Sequence, residues 1–366
     1  MKLPITTLDR YLIRELVNAW LMALLVFVGF LLAAEVLGKG IELIFLLKAP
    51  VTDAVRWFLL ALPNLIALSL PMSVLLAVVM TLGRMSRDYE ILAAQALGIG
   101  FHRLTVPVAL LSLLVAVLSL WLNAFVVPPT YAASDTILWR YRSATRGATS
   151  LRIVQPPKGP PRLILSADRF YPASGLMEKV DLWEMVKEEG QWRYLKAEKA
   201  YWRDDRWTFL NGSVQIILPK RPSLPAPFAR LDLQARLPPP EQAADTKAQS
   251  PNRLDLIGLT AQIQQMKRWR VPDEYVREYA VEWHNRFSLA LSCIVLALIG
   301  GPVALHLKRS GGLAIGVSVL LIVIYYIIWK VGGLLGQSAV LPPALGSHLP
   351  NILGLAGYLG WLRTYR

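Results

Sequence analysis

Few side chains in this sequence are placed to do chemistry. The densest group is the segment Gly83-Arg84-Met85-Ser86-Arg87-Asp88-Tyr89-Glu90-Ile91-Leu92-Ala93-Ala94-Gln95-Ala96-Leu97-Gly98. Ser86 is expected to cap a helix whose first turn carries Asp88 and Glu90, which suits the positive end of the helix dipole. Ile91, Leu92, Ala94 and Ala96 give that helix an apolar face, and Gly98 can end it. Arg84 stands just ahead of it. Such a segment either connects two spans at an interface or docks in a groove on a partner; its residue types alone leave both open.

A second group sits singly at the ends of apolar runs: Glu35 and Lys39 after the first, Arg286 before the fourth, Lys330 late in the fifth. Each is a candidate contact for a charged headgroup or a cavity. Each also has an ordinary reading, because residues at a span's end lose little solvation and long basic side chains snorkel outward. His102, His284, His306 and His348 are widely separated, and no His-Glu-x-x-His or other metal spacing occurs, so no metal or other cofactor is expected. No Gly-x-x-x-x-Gly-Lys-Ser/Thr loop is present, so nucleotide chemistry would have to come from a partner. Cys293, the only cysteine, lies in an apolar run and cannot form an intramolecular disulfide.

The elements that position these residues are mostly apolar spans. The chain has 366 residues, 54% hydrophobic and 17% charged, below the charge of an ordinary soluble domain. Apolar runs cover Leu16 to Ala34, Trp57 to Gly83, Leu104 to about Val127, Phe287 to Leu305, about Gly311 to Gly336 (with Lys330 inside it) and about Leu345 to Leu362. About 20 residues span a bilayer, so six transmembrane helices are expected. The first run lacks the short core and small-residue cleavage site of a signal peptide and reads as a retained helix. The third is expected to end at Pro128-Pro129.

Basic residues orient the spans. Lys2, Arg10 and Arg14 precede the first; Arg84, Arg87 and Arg103 lie between the second and third; Lys308 and Arg309 between the fourth and fifth; Arg363 and Arg366 follow the sixth. All fall on one side, which the positive-inside rule makes the cytoplasm. The net charge of +14 is read the same way, and not as a nucleic-acid footprint.

Residues about 128–285 are then extracytoplasmic, and from Arg152 to Arg236 the pattern changes to short alternating runs. Leu163, Leu165 and Ala167 alternate with polar neighbours, as do Leu195 and Ala197, Val214 and Ile216, and Ala229, Leu231 and Leu233. Period two means strands with one buried face. Turns are expected at Asn211-Gly212 and Glu189-Gly190, and the whole reads as a sandwich or jelly roll. The expected organisation is residues 1–127 as spans one to three with a helix at 84–98, 128–253 as an extracytoplasmic β domain, 254–285 as a helical connector broken near Pro272, and 286–366 as spans four to six.

At this point the sequence resembles the LptF/LptG (YjgP/YjgQ) permeases of lipopolysaccharide export. Leu8-Asp9-Arg10-Tyr11 with Arg14-Glu15 is similar to the family's opening helix, and Leu82 through Glu90 to Gly98 to its loop motif. Ala197, Ala200, Trp202 and Trp207-Thr208-Phe209-Leu210-Asn211-Gly212 resemble its jelly-roll signature. Glu282, Arg286, Gly300-Gly301-Pro302, Tyr325-Tyr326, Leu341-Pro342-Pro343 and Leu349-Pro350-Asn351 fit its C-terminal half. The resemblance implies a non-catalytic inner-membrane subunit of an ABC transporter with a jelly-roll domain in the periplasm. Its partners would be a paralogous permease, a cytoplasmic ATPase dimer, a periplasmic lipid carrier and a single-pass subunit. It would extract lipopolysaccharide or a related lipid into a cavity between permeases and pass it along the β domain, past inward residues such as Leu163, Leu165, Leu231 and Leu233. Arg84, Asp88, Glu90, Leu92 and Gly98 would then belong to the ATPase-coupling helix. Some family members carry a lysine near Glu35, and this chain departs from that. The competing readings are a polytopic membrane enzyme, which lacks clustered ligands or acid and base groups, and a membrane scaffold.

Overall fold

The computed structural model describes residues 7–98, 101–146, 149–155, 163–171, 174–187, 191–203, 206–217, 224–233, 250–268, 271, 273–306 and 311–364. The helices are α1 (Thr7–Glu35), α2 (Val51–Arg87), α3 (Glu90–Ala96), α4 (Phe101–Trp121), α5 (Val127–Arg146), α6 (Leu256–Arg268), α7 (Asp273–His306), α8 (Gly311–Gln337) and α9 (Pro343–Thr364). Between α5 and α6 lie β1 (Thr149–Gln155), β2 (Leu163–Tyr171), β3 (Leu176–Lys187), β4 (Gln191–Arg203), β5 (Arg206–Ile217) and β6 (Ala226–Leu233). They divide into two compact units. One comprises Met1–Gly38, Ala61–Thr130 and Ala280–Arg366, and the other Lys39–Leu60 and Tyr131–Tyr279.

Among the described residues, five helical stretches are long and apolar enough to cross a membrane: Leu8–Leu46, Val51–Arg87, Thr105–Arg142, Asp273–His306 and Gly311–Gln337. The sixth expected helix is present as α9, but Pro350, His348 and Asn351 make it less apolar. Its polar atoms are spent on neighbours in the first unit. Ser288 Oγ donates to the Ser347 carbonyl at 2.6 Å, and Ser347 Oγ to the Val281 carbonyl at 3.2 Å. Asn351 Nδ2 donates to the Ser288 carbonyl and hydroxyl, both at 3.0 Å, while the Tyr325 hydroxyl donates to Asn351 Oδ1 at 2.7 Å. A buried amide without partners would be costly, so these bonds are what lets α9 carry Asn351. Glycines bring α8 and α9 together. A Cβ on Gly346 would lie 2.4 Å from the Gly332 carbonyl oxygen. Small residues at such crossings let backbones touch.

Two helix ends differ from expectation. Pro128-Pro129 does not stop the third apolar run but opens α5, directly after a π-helical turn at Leu122–Val126. Proline lacks only an N–H that a first helical turn leaves unpaired anyway. The α1 helix likewise continues through π-helical turns at Val36–Gly40 and Glu42–Leu46. In the second unit those turns meet α2 and α5 around Leu43, Leu47, Trp57, Ile137 and Leu138. Arg142 forks onto Glu42 at 2.7 and 3.0 Å, the Tyr141 hydroxyl donates to Asp53, and Arg253 pairs with Asp135.

The six strands form one antiparallel sheet in the order β1-β2-β3-β4-β5-β6, so each pairs with the next. An all-β insert is present, but its described strands make a meander, without the crossovers of a jelly roll. Its inner face holds Leu163, Leu165, Ala167, Phe170, Met177, Val180, Leu182, Leu195, Ala197, Ala200, Trp207 and Phe209, all buried. The alternation does not run straight through. Ala167 pairs with Val180 and Arg169 with Glu178, with Asp168 and Lys179 unpaired between them; Ala197 pairs with Gly212 and Lys199 with Leu210, with Glu198 and Asn211 unpaired between them, and the register is the same on both sides. Lys179 and Asn211 both have φ of 52°. The two irregularities lie on one line across the sheet, a crease at which the buried face changes phase. Asn211-Gly212 is therefore the middle of β5 and not a turn. Gly212 is required there, since a Cβ would sit 2.1 Å from the Lys196 carbonyl oxygen. Glu189-Gly190, the other expected turn, and Pro272 lie outside the described residues.

On the outer face the Trp183 ring lies 4.4 Å from Tyr194 and 5.8 Å from Tyr275, at the start of α7. Burial and a 2.6 Å bond to Asp181 raise the Tyr194 hydroxyl above its ordinary pKa, so it stays a donor at any physiological pH.

Candidate functional site

The segment around Arg84 differs from the expected form in its register. The α2 helix runs on through Arg87, and α3 starts at Glu90 with Tyr89 as its N-cap in the left-handed region, φ 59°. Ser86 therefore lies inside α2 and caps nothing. Single non-glycine residues in this region cost free energy and mark tight joints. One side of α3 is buried through Ile91 and Ala94. Ile91 packs in the core cluster with Leu12, Leu82, Met85 and Val108. The other side presents Tyr89, Leu92 and Leu97, which are 71%, 60% and 82% exposed. Gly98 follows with φ 81°, a conformation that favours glycine.

The charges of this segment converge on one guanidinium. Arg84 Nη1 lies 3.1 Å from Glu90 Oε1 and 3.6 Å from Asp88 Oδ2. Its Nη2 lies 3.2 Å from Glu15 Oε2 and donates to the Tyr11 hydroxyl at 3.0 Å. That hydroxyl in turn donates to the Glu90 carboxylate at 3.3 Å. Glu90 therefore faces inward onto α1. Tyr11 and Glu15 were the residues a reading of the loop alone could not supply; their four-residue spacing on one helix face was the available signal. A second pair, Arg103 with Asp9 at 3.5 Å, joins α4 to α1.

The headgroup candidates are not gathered into one place. Glu35 closes α1, half-buried, and Lys39 is exposed in the π-helical turn beyond it. Arg286 is buried in α7, with Nε 3.7 Å from Glu282 one turn earlier. Lys330 is exposed on α8, its ammonium 4.9 Å from the Trp329 ring, and its charge also acts on the Glu282 carboxylate. Glu282, Arg286 and Lys330 thus form one local group, and Glu282 is the member that links the other two.

The four inward β residues do share a surface. Leu163 and Leu165 are buried in the inner cluster, and Leu231 and Leu233 on β6 pack against it half-buried. The inner wall is apolar from β2 to β6 and least covered at β6.

The family model described as Lipopolysaccharide export system permease LptF/LptG matches residues 10–364. No curated protein matches the sequence.

Proposed function

Because the chain belongs to the LptF/LptG family of lipopolysaccharide export permeases, and is a multi-pass inner-membrane protein, we propose that it is a non-catalytic half of an ATP-driven lipid exporter. In this reading α9 is the sixth span, both termini and α3 are cytoplasmic, and the sheet is periplasmic. That orientation follows from the basic residues between spans. A paralogous permease or a second copy completes the lipid cavity, and an ATPase dimer docks on α3. A periplasmic carrier, with or without a single-pass subunit, receives the lipid from the sheet.

The observation that carries the proposal is the form of α3: a short helix on a tight joint, buried on one side and apolar and exposed on the other. Lifting several acyl chains from a bilayer is strongly uphill at about 0.8 kcal/mol per CH₂. Energy must therefore enter from outside the chain, which has no nucleotide loop of its own. The apolar inner wall of the sheet gives the chains a covered path, and the Glu282–Arg286–Lys330 group suits a phosphorylated headgroup.

The test is purification of the assembled complex from its native membrane in mild detergent, with mass spectrometry of everything retained. A nucleotide-binding subunit together with a phosphorylated, multiply acylated lipid is the expected result. A complex that retains neither contradicts the reading.

A further inference from the structure

The contacts of Arg84 allow a step beyond docking. We infer that Arg84 is a positioning residue that clamps α3 to α1, so that motion imposed on α3 enters the membrane unit through α1. This rests on the reading of α3 as the ATPase-docking helix.

Three observations support it. First, Arg84 on α2 addresses three carboxylates and a phenol on α1, the Asp88-Tyr89 joint and α3, through Glu15, Tyr11, Asp88 and Glu90. A planar guanidinium with five donors can do this, and an ammonium cannot. Isolated surface pairs contribute little, but one fork held by several partners loses its freedom only once. Second, the covalent link from α2 to α3 is a single tight joint at Asp88-Tyr89, and the Arg84–Glu90 and Tyr11–Glu90 contacts tie α3 to α2 and α1 beside it. Third, α1 is the helix on which such a push would act with least resistance. Leu21, Met22, Leu25, Val26 and Phe30 leave 51%, 67%, 75%, 59% and 70% of their surface exposed within this chain. Glu90 is in this account an internal partner of Arg84 and Tyr11, and the exposed Tyr89, Leu92 and Leu97 face the ATPase.

The experiment uses the assembled complex in lipid nanodiscs and proteoliposomes. Spin labels on Arg14→Cys and Gln95→Cys report the α1–α3 distance; the native Cys293 is buried and does not label. The expected result is a narrow distribution that broadens in Arg84→Ala and in Arg84→Lys. In the same complexes, without labels, lipid released per ATP hydrolysed should fall roughly five-fold or more, the low end of an ordinary coupling. ATPase retention should be unchanged. Tyr11→Phe, which removes one hydroxyl and no packing and leaves the Arg84 ion pairs, should show a smaller loss in the same direction and guards against misfolding of the arginine variants. An unchanged distance distribution in Arg84→Ala overturns the clamp. A broadened distribution with the wild-type lipid-to-ATP ratio overturns its role in transmission. Leu92→Asp, measured alongside, addresses docking alone: if it keeps the ATPase, the reading of α3 fails while the distance measurement still decides the clamp.

Discussion

Leu92→Asp is expected to strip the ATPase from the purified complex while leaving the permease folded. Leu92 is on the exposed side of α3 and belongs to no buried cluster, so the substitution costs the fold little. In a docked complex the same position is central to an apolar patch with Tyr89 and Leu97. Placing a carboxylate at such a position costs on the order of 2–4 kcal/mol. That is roughly thirty-fold or more in affinity. Glu90→Lys should act by another route. It sets a lysine against Arg84 and releases α3 from α1, so the ATPase is retained better than in Leu92→Asp but hydrolysis no longer yields released lipid. The measurement is subunit retention, hydrolysis rate and lipid transfer on the same preparation. Equal retention of the ATPase in Leu92→Asp and wild type contradicts docking at α3.

The second large effect is expected at Gly346. A Cβ there meets the Gly332 carbonyl oxygen at 2.4 Å and the Gly336 backbone at 3.1 Å, and backbone cannot step aside as a side-chain tip can. Gly346→Val should therefore force α8 and α9 apart and break the register of Asn351 with Ser288 and Tyr325. Overpacking costs roughly 1–3 kcal/mol before those hydrogen bonds are counted. In a unit of this size each kcal/mol lowers the melting temperature by about 2–4 °C. Gly29→Val is the matched control, since nothing lies within 4 Å of its Cβ position, and it should melt like the wild type. Gly346→Val melting with its control would contradict the packing described for α8 and α9.

The apolar spans and the strands were legible in the sequence because each has a period or a length that few other structures share. What escaped it was long-range. The alternation at Leu163, Leu165 and Ala167 marks a strand, but nothing in β3 or β5 alone announces that Lys179 and Asn211 take left-handed backbone and shift the buried face. Asn211-Gly212 has the composition of a hairpin turn, and only its place opposite Ala197 makes it part of a strand. Nothing in the sequence around Ser288, Ser347 and Asn351 announces that they bond to one another across helices. The docking segment was recognisable, yet its start was misplaced at Ser86, because a capping residue is only a permissive signal and α2 had enough apolar contacts to continue past it. Arg84 could be singled out from the segment, but its partners Tyr11 and Glu15 stand more than sixty residues away in sequence.

The central claim is that lipid passes along the inner wall of the sheet when ATP is hydrolysed. It is tested most directly by a photo-crosslinking amino acid at Leu231, which faces the inner cluster yet is only half-buried and so has room for the probe. The complex is reconstituted with phosphorylated, acylated lipid in proteoliposomes and illuminated with ATP or with a non-hydrolysable analogue. The account predicts a lipid adduct at Leu231 that rises with ATP hydrolysis, and none at the outward-facing neighbour Arg230. An adduct of equal yield without hydrolysis, or equal at both positions, would contradict it.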